Sequence, residues 1–255
     1  MRLVCFTNAG NEENVFTNPG LGARSVPVLL DWCRAHAVEI LAVQLPGRGA
    51  RVKEPFLESA QAAAAASLSV LGSRLLDGVP YCVLAHSVGT WIAYEMLSLA
   101  REQGLPLPRR AFFSAFPAPD LPEPARPWTP QRSLDDPRFK DECRGWDVSE
   151  ALLKDAAMWA NYVGLMRADF RLFDEYSQGG RAGARPFDFP ITSFYAEADK
   201  KVSRAMVEGW RGFTTAGFSV HGLPGHHLFV LAMGDQKAAK HAWLTTVRDE
   251  LAAAQ

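Results

Sequence analysis

PYCVLAHSVGTWIA, residues Pro80 to Ala93, is the stretch on which the fold turns. The apolar YCVLA reads as a buried strand, WIAYEML as an amphipathic helix, and the abrupt turn between them carries Ser87. A serine on a strained strand-to-helix turn, with small residues two before and two after it, is the nucleophile elbow GxSxG, where helix and strand must approach closely. Here those small residues are Ala85 and Gly89. Alanine in the first position keeps the side chain small, and the strand and helix patterns on either side separate AHSVG from a chance grouping of common residues.

Working outward, short apolar runs alternate with longer helical patterns. Leu3 to Phe6, Glu39 to Gln44 and Tyr81 to Ala85 read as strands, each followed by a helix: Val26 to His36, Ser59 to Leu76 and Val88 to Glu102. Three more strands are expected at Ala111 to Phe116, Ile191 to Ala196 and Phe218 to Leu223, and a last helix at about Gln236 to Ala252. This alternation predicts an α/β fold, a mainly parallel central sheet with helices on both faces.

The series breaks once, between Pro117 and Pro190. The break opens on a Pro-rich loop, PAPDLPEPARPWTP, and continues with helical patterns at Asp135 to Cys143, Ser149 to Lys154 and Ala156 to Tyr176. An insertion there lies over the carboxyl ends of the strands, so the expectation is one domain over residues 1–255 with a lid at about 117–187. Within it Leu152, Leu153, Met158, Trp159, Tyr162, Leu165, Met166, Phe170 and Phe173 recur at helical spacing. Such a stripe serves as core, and where it bridges an active site it serves equally as an acyl-chain groove. GGRAGARP, Gly179 to Pro186, reads as a flexible exit; AAAAA at Ala62 to Ala66 is simply good helix former, and there is no internal repeat.

Composition narrows the class. A chain of 255 residues with 48% hydrophobic and 22% charged residues has the makeup of an ordinary globular protein. Lys plus Arg is 27 and Asp plus Glu 28, a net charge of −1 that gives no general reason to expect nucleic acid or an anionic membrane as partner. Cys5, Cys33, Cys82 and Cys143 are scattered without CxxC spacing and read as reduced core residues, which suits the cytoplasm. Apolar runs fall short of the roughly 18 residues of a membrane span, and Met1 is followed by a strand-like LVCF in place of a signal-peptide core, an argument against secretion.

A serine hydroxyl becomes a useful nucleophile when an imidazole takes its proton and a carboxylate holds that imidazole in the right tautomer. With an elbow serine the order along the chain is Ser, acid, His. Ile191 to Ala196 is the late strand, and the turn Glu197, Ala198, Asp199 after it offers Asp199 as the acid, with Asp120 after the previous strand as its rival. Beyond the last strand HGLPGHHLFVL supplies His226 and His227; His221 falls inside the strand and His241 in mid-helix. The oxyanion calls for two backbone donors, one from Val88 and one from the loop TNAGNEEN after the first strand, at Ala9 or a neighbour, where Gly10 permits a tight turn.

Taken together these segments resemble the type II thioesterases of polyketide and nonribosomal peptide assembly lines. LVCFTNAGN is similar to that family's opening LFCFPHAGG, VQLPGRGAR (Val43 to Arg51) to VQxPGRGxR, AHSVG to GHSMG, MRADFRLFDEY (Met166 to Tyr176) to a lid helix with LRADF, and PGHHLFVL to GGHFFL. Laying GHHLF on GGHFF places His227 on the catalytic histidine and His226 on a glycine position, with Phe229 in register. Thr7 and Asn8 stand where the family has Pro and His, and AEADKK carries lysines after the acid where Pro or an acidic residue is frequent.

The resemblance implies an α/β-hydrolase fold and an acyl-enzyme mechanism in which Ser87, His227 and Asp199 act as nucleophile, base and orienting acid. It implies a carrier protein bearing an acyl-phosphopantetheine as partner, and neither cofactor nor metal. In PGRGAR, Arg48 is expected to be a structural hydrogen-bonder, with Arg51 and Lys53 as contacts for the pantetheine phosphate or an acidic carrier. A carboxylesterase, an acyltransferase or cyclase, and a non-catalytic acyl or carrier binder are the other readings open to the same residues.

Overall fold

The computed structural model describes residues 1–19, 27–181, 183–232 and 237–254. Six strands, β1 (Arg2–Phe6), β2 (Glu39–Ala42), β3 (Tyr81–His86), β4 (Ala111–Ser114), β5 (Ile191–Ala196) and β6 (Phe218–Leu223), form one sheet in the order β2-β1-β3-β4-β5-β6, every neighbouring pair parallel. Parallel strands covered on both faces are apolar throughout, and β1, β3 and β4 are buried at every residue. Successive side chains take opposite faces: Val4 and Phe6 belong to one core, Leu3 and Cys5 to the other.

Helices α1 (Asn14–Thr17), α2 (Pro27–Ala35) and α9 (Lys237–Ala253) cover the face of Leu3 and Cys5. On the other face pack α3 (Ala60–Leu75), α4 (Gly89–Glu102), α8 (Arg204–Glu208) and an insertion between β4 and β5. The insertion contains α5 (Asp136–Gly145), α6 (Glu150–Lys154) and α7 (Ala156–Asp174), each with a side-chain N-cap: Asp135, Ser149 and Asp155 accept backbone N–H groups of the first turn. Ser59 does the same for α3.

Two strands end two residues short of the reading of the sequence. The fourth strand stops at Ser114 because Ala115 turns into the left-handed region, φ +52°, and the second stops at Ala42, ahead of the PGRG turn. The short α1 and α8 span little more than one turn, and unlike α6, which leads straight into α7, neither adjoins a longer helical pattern that would reveal it. Val26 and Gln236, expected as the first residues of helices, and Ala182 of the expected exit segment lie outside the described residues. All four cysteines are free and buried, and among the described residues no helix is long and apolar enough to cross a membrane.

Strand order positions the site. β1 lies between β2 and β3, so the connections leave in opposite directions there, and the carboxyl ends of β1 and β3 open a crevice. Phe6 pairs in register with Ala85, which sets the loop after β1 beside the turn after β3.

Candidate active site

Ser87 sits between β3 and α4 with φ +56°, the left-handed conformation that an elbow imposes on its serine. Its N–H donates to the Ser114 carbonyl at 2.9 Å, and its own carbonyl accepts from both the N–H and the hydroxyl of Thr90. A Cβ at Gly89 would lie 2.6 Å from the carbonyl oxygens of Phe6 and Thr7, so glycine two residues after the serine is what lets α4 approach β1.

His227 Nε2 lies 2.9 Å from Ser87 Oγ, and His227 Nδ1 lies 2.7 Å from Asp199 Oδ2. The network assigns the tautomer: Nδ1–H donates to the carboxylate, leaving Nε2 to accept from the serine hydroxyl. Asp199 Oδ1 accepts the N–H groups of Lys201 and Val202 at 2.9 and 3.0 Å. Burial raises the Asp199 carboxyl, but the facing His227 and these two N–H groups outweigh it and hold the group below the ordinary carboxylate range. The His227 and Asp199 side chains are 1% and 0% exposed, so their ion-pair chemistry runs in a water-poor setting.

His86, between Ala85 and Ser87, is fully buried. Burial, reinforced by nearby His227, pushes its imidazole well below the ordinary histidine value, so it stays neutral. Ser114 donates its hydroxyl to the Ala85 carbonyl, so His86 Nδ1–H must donate to Ser114 Oγ at 2.9 Å.

Above Ser87 is a cavity of about 380 Å³. The loop after β1 contributes Asn8, Ala9 and Asn11, the histidine loop contributes Leu228 and Leu231, and the insertion contributes Trp146, Leu152, Met158, Tyr162, Met166, Phe170 and Phe173. The helical stripe therefore splits: Leu153 and Trp159 are buried in the core, while the residues just named face the cavity. Among the described residues the backbone N–H groups of Val88 and Ala9 have no acceptor within the protein.

A family model of the thioesterase domain matches residues 29–242. The chain belongs to the thioesterase family. GrsT, the gramicidin S biosynthesis protein of Aneurinibacillus migulanus, is 28% identical over 235 residues, covering 90% of this chain and 83% of GrsT. RedJ, a thioesterase from the prodiginine biosynthetic pathway of Streptomyces coelicolor, has a solved structure 30% identical to this chain, with a TM-score of 0.81 over 98% of this chain and 85% of that one. YbtT, a type II thioesterase from the yersiniabactin pathway, shares the fold with a TM-score of 0.79 at 22% identity over 99% and 93% of the two chains. The α/β-hydrolase fold and the resemblance to type II thioesterases read from the motifs both stand: this is a thioesterase, a hydrolase of acyl thioesters.

In this thioesterase the rival residues lie apart from the relay. Asp120 is exposed in the turn after β4, His221 lies 3.6 Å from Glu250, and His241 is exposed on α9. His226 faces Asp147 at 3.8 Å. Arg48 is buried and bidentate to Asp169 of α7, both contacts 2.6 Å, whereas Arg51 pairs with Glu54 and donates to the Gln44 carbonyl. Residues that the motifs did not single out also reach the site. Trp146 sets its ring edge-on to His227 with centroids 4.7 Å apart, and Asp147 accepts the His227 backbone N–H at 3.0 Å. In the sequence the only sign of them was the unexplained pair of lysines after Asp199.

Proposed function

We propose that Ser87, His227 and Asp199 form the catalytic triad of this thioesterase and that its substrate is an acyl group on the phosphopantetheine arm of a carrier protein in nonribosomal peptide or polyketide synthesis. The observation carrying this reading is the unbroken relay Ser87–His227–Asp199, at 2.9 and 2.7 Å, opening into an apolar cavity. His227 removes the Ser87 proton as Oγ attacks the thioester carbonyl, and the Val88 and Ala9 N–H groups receive the oxyanion. Collapse expels the thiolate, which takes the proton from His227. His227 then deprotonates a water that attacks the acyl-serine, releasing the carboxylic acid and restoring Ser87.

The segment at about 117–187 acts as the lid of a single domain, its apolar face receiving the acyl chain. The relatives' pathways support a carrier as partner, and four free, buried cysteines agree with work in the cytoplasm. Thiol release from acetyl-, hexanoyl- and longer acyl-pantetheine thioesters tests the reading. Ser87→Ala is expected to abolish release, with the loss of at least ~10³-fold that removal of a triad member brings; undiminished release would refute the assignment.

A further inference from the structure

The C-terminal end of α5 touches the triad from the insertion. Asp147, the second residue beyond α5, has φ +61°, a left-handed conformation unusual for a residue with a side chain. Its side chain is 9% exposed; Oδ2 accepts the His227 N–H at 3.0 Å, and Oδ1 accepts from Lys200 Nζ at 2.7 Å. One turn earlier, Glu142 Oε1 accepts the Trp146 indole N–H at 3.0 Å and pairs with Lys201 Nζ at 2.7 Å. Lys201 also donates to the Pro127 carbonyl at 3.0 Å. Gly145 makes room for it: a Cβ there would lie 2.6 Å from Lys201 Cε.

Lys200 and Lys201 directly follow Asp199, so two ion pairs fasten the acid loop to α5, and Asp147 fastens α5 to the histidine loop. That loop needs a tether. It leaves β6 through Gly225, at φ +108°, whose carbonyl accepts the Ala198 N–H at 2.8 Å; two residues on, Asp199 holds the His227 ring, and the His227 backbone N–H is left to Asp147.

We propose that Asp147 is a positioning residue for His227, holding its backbone so that Nε2 stays aimed at Ser87, with the Lys200 and Lys201 pairs locking Asp147 in place. This rests on the reading of His227 as the general base. The lysines that depart from the family pattern are thereby accounted for: Lys201 meets Glu142 on α5, and Lys200 meets Asp147 just beyond it.

The test compares Asp147→Gly with Asp147→Asn, using kcat and KM for hexanoyl-pantetheine thioester and hydrogen exchange at the His227 amide. Glycine accepts φ +61° without strain, so that variant removes the side chain alone, while asparagine keeps an oxygen for the His227 N–H. Asp147→Gly is expected to lower kcat ~10- to 100-fold with KM within ~3-fold, since a displacement of about 1 Å costs on that scale, and to lose protection at the His227 amide. Asp147→Asn is expected to restore protection and kcat to within ~3-fold of the parent. Should Asp147→Gly not fold, Asp147→Ser, whose oxygen is one bond shorter, takes its place. Equal loss in the Asn variant, or an unchanged kcat in the Gly variant, overturns the proposal, provided His227→Ala is inactive. An active His227→Ala would overturn the base assignment and this proposal with it.

Discussion

Ser87 occupies a conformation that costs a non-glycine residue about 1–2 kcal/mol, and its neighbours make the position tenable. The Ser114 carbonyl accepts its N–H, Thr90 donates to its carbonyl, and Gly89 lets α4 close against β1. The atoms that would meet a Cβ on Gly89 are backbone oxygens of a central strand and its loop, which cannot rotate away as a side chain would. Gly89→Ala is therefore expected to destabilise the protein by about 1–3 kcal/mol, the usual cost of overpacking. Turnover of the folded fraction should fall as well, because the same displacement moves the Val88 N–H. Urea denaturation and thiol release on one preparation check both, and a variant with parental stability and rate would show that the elbow has slack.

At the scale of elements, the PGRG turn, the loop after β1 and α7 are joined by one buried ion pair. Arg48 and Asp169 bond at 2.6 Å twice, with side chains 4% and 3% exposed; Asp169 also accepts the Gly10 N–H at 2.7 Å, Arg48 donates to the Asn11 carbonyl at 3.2 Å, and the Tyr162 hydroxyl donates to the Gly10 carbonyl at 2.5 Å. The loop bearing Ala9 thus hangs from the insertion. Removing one buried charge strands the other, so Arg48→Met is expected to cost about 3–5 kcal/mol. Arg48→Met with Asp169→Leu should recover part of that stability without restoring kcat, because the Gly10 N–H has lost its acceptor; thermal unfolding of the two variants beside their kinetics decides this. The sequence showed PGRGAR and MRADF as separate strings and could not show that they meet, since 121 residues separate the partners. By contrast β5 and β6 were readable to the residue, because six apolar or alternating residues bounded by Pro190 and Glu197 or by Gly217 and Pro224 leave little freedom, and the helical patterns read from Ser59, Asp135 and Ser149 begin one residue later, with those side chains as N-caps. Ser87, Asp199 and His227 follow β3, β5 and β6, whose order across the sheet is their order along the chain, so their positions in the sequence already put them at one edge of the sheet. Contacts made by the insertion, Asp147 foremost, were not.

Across the whole molecule, two buried groups bend stability with pH in opposite senses. His86 has its folded pKa depressed, chiefly by burial, so the stability it supports is present above the ordinary histidine value and is lost as pH falls through it. Asp174, at the end of α7, is the counterpart. Burial pushes its carboxyl up to about 7; the Gln131 N–H it accepts at 2.6 Å works the other way, Glu142 and Glu175 add to the rise, and Arg126 opposes it. Its Oδ1 is buried with no partner among the described residues, which is tolerable for a protonated acid and costly for an anion. With the folded pKa above the unfolded one, the native state binds the proton more tightly, so this contribution is complete at about pH 4 and is lost as pH rises to about 7. Asp174→Asn keeps a carbonyl oxygen for the Gln131 N–H and cannot ionise. Its stability relative to the parent is therefore expected to rise between about pH 4 and pH 7 and then level off, with a gain of at most about 4 kcal/mol. Chemical denaturation of both proteins across that range measures the difference, and a difference independent of pH would mean that Asp174 is already ionised in the folded protein and that the junction between α7 and the Pro-rich loop tolerates the charge.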